Sequence, residues 1–419
     1  MIIQRRRSAG ALVVLLGAFA AASSLSPAAA GEAERAECRD NAVSNPDQSI
    51  AACTRVIEDA GEDAAARVEA YDNRGVAYHH KKDYDRALAD FDAASKLDPK
   101  YAKAYCDRGI TFSAKGDHRR AIAEFTAAID LNPKYAVARG YRGVAYFRLR
   151  DYERARADYD LAILLDPKYA KAYMDRGVLF WAKGDWERSI ADLSEAIKLD
   201  PTYVLAWSNR CNTYSYKKEY DKAIADCSEA IRLDPKRAYP YAIRGIAYTG
   251  KRDFDRALAD CDEAVKLDAR EVNGYICRGH AYHGKKDYDR AIADHSESIR
   301  INPKFAKGYG NRGLSYAAKG DPDRALADFS QAITLDPKYF QAYNYRGRVY
   351  AGKRDHTRAI ADFTEAIKLD PVYVEAYNNR GKSYRAMGRK EEAIADFRKA
   401  QSIDPNDPTS RDQLKSLGA

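Results

Sequence analysis

The sequence predicts an all-α solenoid of stacked antiparallel helix pairs, and three observations carry that prediction. Arginine recurs at Arg74, Arg108, Arg142, Arg176, Arg210, Arg244, Arg278, Arg312, Arg346 and Arg380, a constant step of 34 residues (108 − 74) without insertion or deletion. A fixed period of this size marks supersecondary units stacked in a row. Within one period the apolar and small residues are spaced as on helices: Tyr71, Gly75 and Tyr78, then Ala87, Phe91 and Ala94. Each period is punctuated twice, by a polar turn such as Lys81-Lys82-Asp83 and by Leu97-Asp98-Pro99. Asp83 or Asp85 can cap the second helix by accepting backbone N–H bonds, and proline closes the unit because it restricts the residue before it. A chain of 419 residues has room for two or three globular domains. The repeat replaces that count with one elongated body in which each unit contacts only its neighbours.

In chain order, residues 1–30 read as a secretory signal peptide. Arg5, Arg6 and Arg7 precede an apolar run from Ala9 to Ala22, and Ala28-Ala29-Ala30 stand before Gly31. The run is short for a membrane-spanning helix, which needs about 20 residues, so cleavage is favoured over anchoring. Residues 31–67 read as a degenerate helix pair that caps the array. "DQSIAACTRVIE" aligns there with "DRALADFDAASK" of the first full unit. Ten tandem units follow over residues 68–407, and residues 408–419, "PTSRDQLKSLGA", form a C-terminal capping segment. Solenoids need ends that cover their last apolar faces.

Counting Val68 as position one, each unit carries an aromatic at four, a small residue at eight and an aromatic at eleven. Small residues follow at twenty and twenty-seven, with an aromatic at twenty-four and proline at thirty-two. Repeat one supplies Tyr71, Gly75, Tyr78, Ala87, Phe91, Ala94 and Pro99; repeat nine supplies Tyr343, Gly347, Tyr350, Ala359, Phe363, Ala366 and Pro371. At these positions the chain resembles the tetratricopeptide repeat (TPR) family. The resemblance implies a right-handed superhelix whose first helices line a concave groove. Departures are few: Arg139 at position four, Cys211 at eight, Ala269 at thirty-two, and Cys227, Cys261 and His295 at twenty-four. They cluster in repeats five to seven.

Seven cysteines matter in an exported chain, which meets an oxidising environment. Cys211 and Cys227 occupy positions eight and twenty-four of repeat five; in the degenerate pair Cys53 falls at position twenty-four, and Cys38 at position eight with an intervening turn one residue shorter. Position eight is where paired helices approach most closely, and a disulfide needs Cα atoms about 4.4–6.8 Å apart. Two staples are therefore expected, Cys38–Cys53 and Cys211–Cys227, each worth about 3 kcal/mol by loop entropy. The rival reading makes each cysteine a small buried hydrophobe. A third pairing, Cys261–Cys277, and the state of Cys106 stay open.

The arginine at position seven lies level, across an antiparallel pair, with position twenty-three. That site is acidic in all ten repeats, from Asp90 and Glu124 to Asp328 and Asp396. A structural charge ladder is expected, with Arg74 meeting Asp90 and Arg312 meeting Asp328, because the planar guanidinium fork suits a carboxylate. Its role would be register, since a slipped helix strands a half-buried charge. Ligand-binding arginines are the rival reading, but binding residues should differ between repeats.

The resemblance places binding on the first helices, at positions two, five, nine, twelve and thirteen, where the repeats do differ. The candidate groove residues are Phe147, Trp181, Asn212, Tyr216, His280, His283 and Arg348: aromatic at one end, then imidazole-rich, then basic. An exposed aromatic patch commonly marks a protein partner site; plain packing between helices is the alternative. Chemistry finds no foothold. Phosphate-binding glycine loops, nucleophile elbows and paired metal-ligand motifs are absent, and Cys277, His280, His283 and His295 lack a standard ligand spacing. The formal charge of +8 falls to +5 without Arg5, Arg6 and Arg7, which argues against nucleic acid as partner. The sequence thus predicts an exported, non-enzymatic interaction scaffold of a bacterial envelope, periplasmic or secreted. It needs no cofactor and no metal, and it holds a peptide or protein in its groove. Two alternatives stand: an assembly module acting through its edges or by self-association, and a co-chaperone-like carboxylate clamp. The clamp set is incomplete, because the position-two lysines are followed four residues later by Asp107, Asp175 and Asn311.

Overall fold

The computed structural model describes residues 27–419; the expected leader lies outside the described residues except for its last four, which continue into the first helix. Among the described residues there are 23 helices and no strand. They fall into two compact parts, residues 27–165 and Asp166–Ala419. In the first, α1 (Pro27–Asp40) and α2 (Pro46–Glu58) form the opening pair. Repeats one to three are α3 (Ala64–His80) with α4 (Tyr84–Leu97), α5 (Ala102–Ala114) with α6 (His118–Leu131), and α7 (Ala136–Arg148) with α8 (Tyr152–Leu165).

The second part begins with α9 (Ala170–Ala182) and α10 (Trp186–Leu199), then α11 (Val204–Tyr216) and α12 (Tyr220–Leu233). Repeats six and seven are α13 (Ala238–Gly250) with α14 (Phe254–Leu267), and α15 (Val272–Gly284) with α16 (Tyr288–Ile301). Repeats eight to ten are α17 (Ala306–Lys319) with α18 (Pro322–Leu335), α19 (Phe340–Gly352) with α20 (His356–Leu369), and α21 (Val374–Ala386) with α22 (Lys390–Ile403). A last helix, α23 (Pro408–Leu417), follows.

Each of the ten full repeats turns through one left-handed residue. In repeat one, Lys82 adopts the left-handed region at φ 62°. Its turn lets the Asp83 N–H reach back to the Tyr78 carbonyl at 2.9 Å, satisfying one of the carbonyls a helix end leaves bare. Asp83 then caps α4 by accepting from the Arg86 N–H; of the two capping candidates it is the one used. The same turn position carries glycine at Gly116, Gly184, Gly320 and Gly388 but Lys or Arg at six places. Those six long side chains bear the steric cost that L-residues meet in this region.

Two or three residues between the paired helices of each full repeat force the second to run back along the first, and the crossing is tight at position eight. A Cβ added to Gly75 would lie 2.7 Å from the Phe91 ring, and one on Gly347 would lie 2.7 Å from Phe363. Phe91, Phe125, Phe329, Phe363 and Phe397 are each at most 1% exposed. The alanines at positions twenty and twenty-seven, such as Ala87 and Ala94, are fully buried beside them. In the second part, first helices of neighbouring repeats also touch, α11 with α13, α13 with α15, and so on to α19 with α21. Second helices of neighbouring repeats are not packed on one another there, so the first-helix face is the tighter side. At its C-terminal end, Leu414 of α23 covers Ala393 and Phe397.

Candidate functional site

Two sets of polar side chains organise the surface, one constant and one varied. The constant set is the ladder. All ten position-seven arginines meet the acid at position twenty-three of their own repeat, at 2.7–2.8 Å. Nine are forked. In repeat eight, for example, Arg312 Nε donates to Asp328 Oδ2 at 2.8 Å and Nη2 to Oδ1 at 2.7 Å. Glu124, one methylene longer, takes a single bond from Arg108 Nη2 and leaves the buried Arg108 Nε unpartnered. The third nitrogen crosses to the preceding repeat. Arg74 Nη1 donates to Thr54, Arg142 Nη1 to Thr126, Arg210 Nη1 to Ser194 and Arg312 Nη1 to Ser296. Each of these arginines thereby holds two helix pairs together.

A second inter-repeat ladder was not read from the sequence. Lys115 pairs with Asp85, Lys217 with Glu187, Lys285 with Asp255 and Lys353 with Asp323, each at 2.6 Å. The lysine at position fourteen reaches the acid at position eighteen of the repeat before. The acids are largely exposed and the lysines partly so, which makes each pair worth about 1 kcal/mol at most.

The cysteines form three disulfides: Cys38–Cys53, Cys211–Cys227 and Cys261–Cys277, with Cα separations of 4.7, 5.4 and 5.7 Å. The first two join the helices of one pair, whereas the third joins α14 to α15 and so links repeats six and seven. Cys277 is therefore not a free thiolate beside His280 and His283. Among the described residues no group of three or more His, Cys, Asp and Glu side chains could hold a metal ion. Cys106 is free and fully buried, its thiol pushed up to about 12 by burial and by Asp107.

The varied set lies on the first-helix face. Phe147 belongs to the first part of the chain, where it is half-buried against the Tyr152 ring at 5.6 Å. In the second part, Trp181 meets Tyr216 edge-on at 5.4 Å. Its buried Nε1 has no hydrogen-bond partner, and the side chain helps line a cavity of about 90 Å³ shared with Asn209, Asn212 and Tyr239. Asn212 is buried, whereas Tyr216 is exposed. The Tyr216 hydroxyl accepts from Lys307 Nζ at 3.4 Å, so α11 and α17 reach each other across this face.

Further along lie two adjoining hollows. The larger, about 520 Å³, is walled by Leu314, Ala317, Phe329, Tyr345 and Val349, with Arg348 on its border. The smaller, about 240 Å³, lies among Thr249, His280, His295 and Asn311. His283 and Leu314 line both. Burial holds the imidazoles of His280 and His283 below their ordinary range and that of His295 well below it, so all three are neutral at pH 7. His280, His283 and Arg348 thus come together as one stretch, while Trp181, Asn212 and Tyr216 form another. Asn311, Phe329, Tyr345 and Val349 were not foreseen. Positions six and ten flank the ladder arginine, and nothing in the repeat pattern marks them as open to a hollow.

Two of the position-two lysines of the carboxylate-clamp alternative already have acidic partners. Lys171 is bound to Asp175 at 2.6 Å, and Lys103 is engaged by Asp72 and Asp107. Asp72, at position five of repeat one, is fully buried. Burial and then the Asp107 charge raise its carboxyl to about 7. The folded chain therefore holds a proton that the unfolded chain releases near pH 4. Stability contributed here is complete at low pH, declines as pH rises from about 4 to about 7, and is flat above. Asp72→Asn is expected to remove that decline, read as the difference between urea midpoints at pH 5 and pH 8 for variant and wild type.

Five models describing tetratricopeptide or TPR repeats match the chain, over residues 75–116, 106–172, 143–206, 204–237, 274–305, 311–371 and 374–407. No curated protein matches it. Among solved structures it is similar to yeast Tom70, at 16% identity over 93% of this chain and 94% of that one, with a TM-score of 0.49. It is similar to YrrB, described as a TPR protein with an unusual peptide-binding site, at 23% identity over 45% and 97%, TM-score 0.35. A tetratricopeptide repeat protein of Parabacteroides merdae matches at 21% identity over 60% and 99%, TM-score 0.46. With its 34-residue period, its paired helices and its matched repeats, this chain belongs to the tetratricopeptide repeat family.

Proposed function

We propose that the protein is an exported interaction scaffold that holds an extended peptide or protein segment on the first-helix face of its second part. The observation carrying this reading is the pair of adjoining hollows bordered by His283 and Leu314. They lie where the repeats differ, whereas the charged side chains common to every repeat are tied up in ladders. The larger hollow is apolar enough for a bulky side chain, and Arg348 on its border, although exposed, already pairs with Glu375 at 3.2 Å. Export is supported by the leader-like N-terminus and the three disulfides, which persist in oxidising compartments. No helix among the described residues is long and apolar enough to cross a membrane.

The test is retention of a fluorescein-labelled octapeptide library on the immobilised, oxidised protein. Wild type should retain peptides with a large apolar residue, and Leu314→Arg, which places a charge where both hollows meet, should lower retention about tenfold or more. Equal retention by the two proteins overturns the reading. One observation favours the alternative of assembly through an outer edge. Leu161 and Leu164 are 41% and 73% exposed, one turn apart on α8. If Leu164→Glu changes the sedimentation of the protein while peptide retention is absent, that alternative stands in its place.

A further inference from the structure

We infer that the larger hollow is a vacant ring slot of the solenoid, taking one phenylalanine, tyrosine or tryptophan side chain of the bound peptide; the inference rests on the groove reading above and names its anchor. Position seventeen, the first residue of each second helix, carries a planar ring (Tyr, Phe, Trp or His) in every repeat except eight and ten. Where the following repeat offers glycine at position thirteen, that ring packs directly onto it. A Cβ added to Gly250 would lie 2.3 Å from the Tyr220 ring, and one on Gly284 would lie 2.2 Å from the Phe254 ring. The ring can also meet position twelve of its own repeat, as Tyr288 meets His283 at 5.4 Å. Repeat eight breaks this arrangement at both places: Pro322 stands at position seventeen and Ala317 at position twelve. Gly352, at position thirteen of repeat nine, is the glycine that elsewhere receives a ring. An added Cβ there would meet nothing within 4 Å. Pro322, Ala317 and Gly352 all line the hollow of about 520 Å³, which thus lies where the missing ring would be.

Three arguments select an aromatic occupant. The first is the chain's own filler. Across the ten repeats position seventeen is never Leu, Ile, Val or Met, and a glycine opposite, having no Cβ, lets a flat ring come against the backbone. The second is the wall. Tyr345 and Phe329 both line the hollow, their ring centroids 5.8 Å apart, and aromatic pairs at such spacings gain from offset or edge contacts beyond the area they bury. An aliphatic side chain would bury carbon there without that gain. The third is charge. Arg348 and Lys353 at the border are committed to Glu375 at 3.2 Å and Asp323 at 2.6 Å, so an acidic side chain entering the hollow would be desolvated without a free counter-charge.

The experiment is a positional-scanning library of N-acetylated, fluorescein-labelled octapeptides on the oxidised full chain. Wild type is compared with Pro322→Tyr and Ala317→Phe, which install the rings that repeat three carries at those positions, Tyr152 and Phe147, and so fill the slot from inside. Pro322→Ala leaves it open, and circular dichroism checks the folding of all three. Wild type should enrich Phe, Tyr or Trp over Leu, Ile, Val and Met at one peptide position by about three- to tenfold, the range set by ring contacts beyond area burial. Either ring-installing variant should lower retention of the aromatic peptides about tenfold, and Pro322→Ala should keep it. Wild-type retention with aliphatic residues enriched equally, or aromatic enrichment undiminished in a folded ring-installing variant, overturns the slot and leaves the groove standing. Failure of wild type to retain any peptide overturns the groove, and the slot with it.

Discussion

Asp328→Ala should lower the free energy of unfolding by about 3 kcal/mol, the order seen when one partner of a buried ion pair is removed. The pair itself need not be strongly stabilising. Arg312 and Asp328 are 22% and 9% exposed, so forming the pair takes two charges largely out of water, and their attraction offsets that cost with little left over. Removing only the acid leaves the guanidinium in a half-buried site with its bond to Ser296 as sole hydrogen-bond compensation. Two controls isolate this mechanism in urea titrations followed by circular dichroism. Asp289→Ala breaks the exposed bond to Lys319 and should cost about 1 kcal/mol or less. Replacing both partners, as Arg312→Met with Asp328→Leu, should recover most of the loss, because no charge is then stranded. An unchanged midpoint for Asp328→Ala together with lost peptide retention would move the arginine from scaffold to ligand binding.

The ladder was legible because register and pattern coincide. A fixed turn at position fifteen makes positions seven and twenty-three face each other, and opposite charges recurring ten times at both places point to pairing across the helix crossing. The bond to the preceding repeat was within reach of the same reasoning. Thr126, Ser194, Ser228, Ser296 and Ser330 recur at position twenty-five, but hydroxyls on a helix face usually signal solvent. The lysine ladder hid for a similar reason, since lysine beside aspartate in a turn reads as hydration. Repeat periodicity reports what each unit does to itself more clearly than what it does to the next, because the offset between units depends on how they stack.

The candidate site was less legible, and the reason is geometric. Positions nine and twelve were expected to face a ligand, and His280, His283, Leu314 and Arg348 do border the hollows. Depth was the missing quantity. Whether Trp181 stands free or leans on Tyr216 depends on the distance between first helices of adjacent repeats, and that is set by how the units stack. His295 shows the limit most clearly. From sequence it is a departure from an aromatic core position, equally consistent with a filled core. Only the packed structure shows that its Nδ1 has been left without a partner.

Removing the Cys211–Cys227 bond should cost about 3–5 kcal/mol, the second large effect expected of this chain. The crosslink closes a loop of 16 residues, worth about 3 kcal/mol in chain entropy, and the rest is packing. In repeats one, eight, nine and ten, a phenyl ring at position twenty-four fills the crossing over glycine. Repeat five has neither glycine nor ring, and the disulfide occupies the same place. Cys211→Ser with Cys227→Ser loses crosslink and packing together. Cys211→Gly with Cys227→Phe restores the pair used elsewhere and should recover about 1–2 kcal/mol of the loss, by the cost of core cavities, while remaining indifferent to dithiothreitol at this crossing. Equal stability of the two double variants would mean that the sulfurs contribute no packing. The bond between Cys261 and Cys277 fills the next crossing differently: both sulfurs press on Gly245, one arriving from repeat seven. Its loss should therefore act on coupling as well as on stability. In a stack held by nearest-neighbour contacts, Cys261→Ala with Cys277→Ala should broaden the urea transition and expose α14 and α15 to hydrogen exchange before α12 and α18.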